Sequence, residues 1–139
     1  MIENQIITAI TGNLADITQV NGYSFDLTGV FEWRESDLDE SELDAVEIRD
    51  ISNEPYEDDE LQHLLVIEAT LVSAGGTTPA VHRQRVQDVI TALSLIENES
   101  FVVGAMFMGS DKDSEKQKKR YLKTMIRLGV IYQAERWEI

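Results

Sequence analysis

The stretch that most constrains this chain runs from Leu61 to Ser73. His63, Leu65, Ile67, Ala69 and Leu71 fall on one set of alternate positions, and Leu64, Val66, Glu68, Thr70 and Val72 on the other. A period of two over this length is a β-strand. Both faces carry apolar residues, so the strand is either central in its sheet or has a second surface buried by a partner. The rest of the chain has to be arranged around it.

Upstream, Ile2, Ile6, Ile10 and Leu14 repeat every four residues, with Ala9 and Ile17 near the same stripe. This spacing predicts an amphipathic helix over about 2–17, weakened in its middle by Gly12 and followed by a turn at Asn21-Gly22. Tyr23 to Arg34 alternates Tyr23, Phe25, Leu27 and Gly29 with Ser24, Asp26, Thr28 and Val30, which predicts a second strand. Ala45 to Ile51 is a short alternating piece within otherwise loop-like surroundings, and Pro55 argues against a regular ladder beyond it. Downstream, Ala74-Gly75-Gly76-Thr77-Thr78-Pro79 is a loop whose last two residues suit the cap and first position of a helix over about 79–96. Val86, Val89, Ile90, Leu93 and Ile96 form its apolar stripe. Phe101 to Met108 reads as a strand, and Gly109 to Lys119 as a charged loop. Tyr121 to Trp137 reads as a long strand, although Leu122, Met125, Ile126 and Gly129 also fit a helix ended by glycine.

The expectation is therefore an α/β (α+β) fold: a mixed, largely antiparallel sheet flanked by two main helices, all in one domain over 1–139, with an extended acidic hairpin or arm at 35–60, partly mobile. The composition allows it. The 139 residues are 42% hydrophobic and 27% charged, close to an ordinary globular chain. No run approaches the roughly 18 apolar residues of a membrane span. The start lacks the basic and apolar regions of a signal peptide, which points to a cytosolic product unless it leaves in a larger particle. There is no cysteine, and so no disulfide, thiolate nucleophile or Cys-bearing zinc site.

Charge is both large and uneven. The formal net charge is −14, and 13 of the 26 acidic residues lie between Glu35 and Glu60, whereas 8 of the 12 basic ones lie from Lys112 onward. An acidic balance of this size argues against phosphate recognition, which needs clustered Lys and Arg.

A search for chemistry finds each candidate short of a required partner. His63 and His82 have no second histidine or carboxylate at metal-binding spacing, and no nucleophile-elbow, P-loop or dinucleotide motif is present. Gly75-Gly76-Thr77-Thr78-Pro79 lacks the lysine of a phosphate loop. Asp111-Lys112-Asp113-Ser114-Glu115 opens like a calcium loop but has Lys116 where glycine is needed, followed by a cationic run. Glu68 is the one acid embedded in an apolar strand; it faces solvent or meets a basic residue across a subunit boundary. No catalytic, cofactor or metal residue is assigned.

The order of segments, with Val86-Gln87-Asp88-Val89-Ile90-Thr91-Ala92-Leu93 in the second helix and Val130-Ile131-Tyr132-Gln133 closing the last strand, resembles the tail terminator (tail completion) proteins of long-tailed bacteriophages and prophages. The resemblance covers nearly the whole chain. It implies a mixed sheet with packed helices and a strand rather than a helix at Tyr121 to Trp137. It further implies a homohexameric ring that ends tail-tube growth, with the tail tube protein and a head-completion protein as partners. It implies no catalytic residue, no cofactor and no membrane, and a place in the virion tail after assembly in the host cytoplasm.

In such a ring a head-to-tail contact sets one surface of a subunit against a different surface of its neighbour. The charge split suggests that Glu40, Glu42, Asp44, Glu57, Asp58, Asp59 and Glu68 meet Lys116, Lys118, Lys119, Arg120 and Arg127 of the next copy, steering assembly more than strengthening it. Three alternatives stand beside this reading: another head–tail joining protein, a divalent-metal-binding acidic protein or enzyme, and an acidic inhibitor that mimics nucleic acid.

Overall fold

A computed structural model describes residues 1–33, 43–57, 59–116, 120–135 and 137–139; of these, the side chains of 59, 60, 113–116 and 120 are not described. The chain forms α1 (Ile2–Ala15), β1 (Val30–Glu32), β2 (Ala45–Tyr56), β3 (Asp59–Ser73), α2 (Pro79–Ser94) with a 3₁₀ turn at Leu95–Asn98, β4 (Val102–Lys116) and β5 (Arg120–Gln133). The five strands make one mixed sheet in the order β1-β2-β3-β5-β4. Only β1 and β2 run parallel; the other three pairs are antiparallel. This is the expected α+β fold, with the two-sided strand β3 at its centre.

Both helices pack on the same face of the sheet. Ile6, Ile10 and Leu14 of α1 and Val86, Val89, Ala92 and Leu93 of α2 share a core with Val46 and Ile48 of β2, with Leu65, Ile67, Ala69 and Leu71 of β3, and with Ile126, Leu128, Val130 and Tyr132 of β5. The alternate residues point the other way, onto a face that no described element covers. The second apolar set of β3 thus belongs to an open surface.

Local chemistry explains where elements end. The first helix stops at Ala15, two residues short of the expected boundary. The Asp16 carbonyl accepts from Asn21 Nδ2 (2.8 Å), and Tyr23 N–H donates back to the Thr18 carbonyl (3.2 Å), so a turn takes over. Ile17 is fully buried nonetheless. The second helix begins as expected: Thr78 Oγ1 accepts from Val81 N–H, and Pro79 occupies the first turn.

Tyr23 to Arg34 differs from expectation, because among its described residues, which exclude Arg34, only Val30–Glu32 joins the sheet. The preceding residues satisfy their backbone elsewhere: Leu27 N–H donates to the Ile17 carbonyl, Thr28 N–H to that of Asp44, and Ser24 N–H to the Asp88 carboxylate of α2. Their alternation reflects an extended segment that buries Phe25 against the core without a ladder. Asp88 also accepts from the Ser24 hydroxyl, and is itself buried. Asp88→Ala removes two hydrogen bonds from Ser24, which is itself exposed and can turn to water, and is expected to cost about 0.5–1.5 kcal/mol, read as a lowered urea midpoint with an unchanged slope.

Two segments read as loops are strand. Asn53–Tyr56 continues β2, paired through Pro55↔His63 and, after a register shift, Tyr56↔Asp59. Proline is tolerated because, among the described residues, β1 pairs only with Val46–Ile48 and no described strand asks for an N–H from the far part of β2. The hairpin turns at Glu57, whose φ is +55°. Likewise β4 runs on to Lys116 instead of ending at Met108; the ladder absorbs an extra residue between Phe107 and Ser110, where Gly109 takes φ +103°. The final segment is a strand from Arg120, ending at Gln133, four residues before Trp137.

Candidate functional site

The residue most like a catalytic base is walled in. His82, in the first turn of α2, has Nδ1 2.6 Å from Ser73 Oγ and Nε2 2.8 Å from Thr124 Oγ1, and all three residues are buried. A serine beside a histidine is half of a nucleophile–base pair. Here the third member is a threonine, and no substrate reaches the serine. Burial holds the imidazole below its ordinary pKa, helped by the positive charges of Arg85 and Lys112. The ring is a neutral pin joining β3, α2 and β5. The alternation placed His63 on an inward face, and there it stacks on Tyr132 with ring centroids 5.1 Å apart. Burial pushes the Tyr132 phenol up; its oxygen accepts from Asn53 Nδ2 at 2.6 Å. Among the described residues, no group of three His, Cys, Asp or Glu side chains is placed to hold a metal ion.

What remains for function is surface. Across the middle of the open face runs a row of alternating charge. Arg49 on β2 lies opposite Glu68 on β3, and Glu68 opposite Arg127 on β5. Arg127 reaches Glu68 Oε2 at 3.5 Å and Asp111 Oδ2 on β4 at 3.0 Å, and Arg49 pairs with Glu47 at 2.8 Å. Exposed pairs of this kind contribute about 0–1 kcal/mol each; their main effect is to leave the row nearly neutral. On one side of the row lies an apolar patch. Gly129 has no side chain, and Leu64, Met106 and Met108 close over it: a β-carbon there would meet the Met108 sulfur at 2.8 Å. Val66 and Ile131, each 8% exposed, complete the patch.

The proposed interface charges divide. Glu68 and Arg127 come together, but within one copy. Asp44 is also engaged internally, accepting from Arg85 and from Ala74 N–H, next to the core. Glu57 stands exposed at the hairpin turn. Glu40, Glu42, Asp58, Lys118 and Lys119 lie outside the described residues. Asp59, Lys116 and Arg120 sit at the ends of β3, β4 and β5, and their side chains are not described.

The margins of the sheet carry residues that sequence patterning did not single out. At one margin Trp33 follows β1 and is 51% exposed, with Ile51 of the β2 bulge exposed nearby. At the other, β4 exposes Val103, Phe107 and Met108, with Phe107 at 57%. Between α2 and this edge runs a shallow apolar groove lined by Ile90, Leu93, Ala105, Phe107 and Leu128, with Glu97 at its rim. Phe31 and Trp33 stand two apart at the end of the segment that alternates like a strand, and so share one face of that pattern. No family model matches the sequence, and no curated protein matches it.

Proposed function

We propose that this chain is a structural subunit of a long-tailed phage or prophage virion that caps the tail tube as a ring of identical copies, ending tube growth and offering a surface to the head. The reading draws on the resemblance in element order and on one observation of the surface. The charged residues of the open face neutralise one another in a row, while exposed apolar side chains gather at both sheet margins. Contacts between proteins use such apolar patches rimmed by polar groups. The partners under this reading are further copies of the chain, the tail tube protein and a head-completion protein.

 The tail tube protein lies below the ring and a head-completion protein above it, with the virion tail as the final location.

The experiment is mass in solution together with a capping assay on purified tail tubes. The expected result is a defined ring, hexameric on the family pattern, and tubes that stop growing when the chain is added. A strict monomer that leaves tube growth unaffected overturns the proposal. Binding to a head connector instead of to tubes moves the chain to the other head–tail joining proteins.

A further inference from the structure

The open face of the sheet holds an acid that its own chain serves poorly. Glu68 stands at the centre of that face, and its side chain is only 20% exposed. A carboxylate covered to this extent calls for close polar partners. Among the described residues it has one ion-pair partner, Arg127, and that contact is 3.5 Å long. Arg127 gives its closer contact to Asp111, at 3.0 Å. Across the strands the row is Arg49 on β2, Glu68 on β3, Arg127 on β5 and Asp111 on β4, so the signs run plus, minus, plus, minus. Four alternating charges have a property that three would lack: reversed, the row is its own complement.

We propose that two copies of this chain pack open face to open face, about a two-fold axis that runs along the strands between β3 and β5. That rotation reverses the order of the strands and keeps the level along them. Glu68 of each copy then faces Arg127 of the other, and the four groups close a square of alternating charge. Arg49, already held by Glu47, meets Asp111 at either end of the row and adds less. The apolar patch beside the row stays on the same side in both copies, so Leu64 of one comes over Ile131 of the other, its cross-strand neighbour. A two-fold axis laid across the strands fails on both counts. It sets Glu68 on Glu68, and it brings the apolar patch to the level of Lys123 and Asp113.

The occupant follows from the charges. An apolar partner would take four charged side chains out of water with nothing to match them, and a partner of one sign would repel half the row. The size also suffices. β3 and β5 are paired from Gln62 to Ser73 of β3, about 40 Å, and four strands span about 14 Å, so the face offers about 600 Å² of flat area per copy. Two such faces bury about 1,200 Å², above the roughly 1,000 Å² expected of a specific interface. The contact does not rest on the ring reading, because it leaves both sheet margins uncovered.

The test reads mass against concentration for two single variants and their mixture. Glu68→Arg gives its row three positive charges, and Arg127→Glu gives its row three negative ones. Each variant therefore sets like charge on like charge at the centre of its own dimer, and each alone is expected to weaken dimerisation at least about tenfold. Mixed, the two rows match at all four positions, so a one-to-one dimer should return. That dimer also demonstrates that both variants fold. Single variants that dimerise like wild type overturn the contact, as does a mixture that stays monomeric while wild type dimerises. A wild-type chain that stays monomeric at every concentration overturns it too, and leaves the open face to a partner of another kind. Wild-type rings that cap tubes, with neither variant impaired, strike out this contact and leave the ring reading standing. A dimer broken and restored by these variants, with tubes left uncapped, supports the contact and overturns the ring reading.

Discussion

Ile67→Ala is expected to remove about 2–5 kcal/mol of unfolding free energy, and Leu64→Ala, on the same strand, less than half as much. Ile67 is fully buried on the helix-covered face, paired between Asp50 of β2 and Leu128 of β5. Its loss leaves a cavity beneath both helices that the sheet cannot close. Leu64 projects from the other face, where it meets Met106 and Met108 over Gly129 and part of its surface already touches water. Truncation there gives up less burial, and the flexible methionines can settle into the space. Urea unfolding of both variants, at concentrations where the chain is a monomer, measures the difference. Equal losses would mean that the second face of β3 is as fully covered as the first.

That comparison bears on what the sequence could reveal. The alternation of β3 identified the central strand and both of its apolar sets, because pleating puts successive side chains on opposite faces. It left two explanations for the second set, a central position or a surface buried by a partner, and the sheet shows the first. β3 is central, between β2 and β5, and its second face is open within one copy. The helices were legible for the same reason, since their stripes repeat at helical spacing and Thr78-Pro79 marks a start.

Pairing was less legible than pattern. Tyr23 to Thr28 alternates like a strand, but nothing local revealed that its amides would find Ile17, Asp44 and Asp88. Asn53–Tyr56 and Ser110–Lys116 looked too polar or too interrupted for strands. They are strands because long partners, β3 and β5, extend beside them and satisfy their backbones. The same limit applies to the surface. Charge patterning suggested contacts between copies, yet Asp44, Glu68 and Arg127 find partners within the chain. Which charges end up as neighbours depends on register. Trp33 and the groove depend on it even more, since they are made by residues far apart in sequence.

The buried histidine supplies the second large effect, and its sign follows from its surroundings. His82 is surrounded by core, and its imidazole is held below the ordinary value of 6.5, first by burial and then by Arg85 and Lys112. Its two ring nitrogens are already engaged by Ser73 and Thr124. The unfolded chain, with His82 in water, takes up a proton near pH 6.5; the folded chain resists it. Below that pH the unfolded state therefore binds more protons, and stability falls as pH falls, by up to about 1.4 kcal/mol per pH unit from this one group. Above about pH 6.5 both states hold the ring neutral and the stabilisation is complete. Unfolding free energies measured between about pH 7 and pH 5 should thus decline, before most carboxylates titrate. His82→Gln keeps a polar side chain between the two hydroxyls without a titrating group, and should flatten this part of the profile whatever it costs in absolute stability. Thr124→Val should instead keep the slope and lower the whole curve by about 1–3 kcal/mol, because it strands one ring nitrogen in the core. A His82→Gln profile as steep as that of the parent chain would place the acid sensitivity in another group.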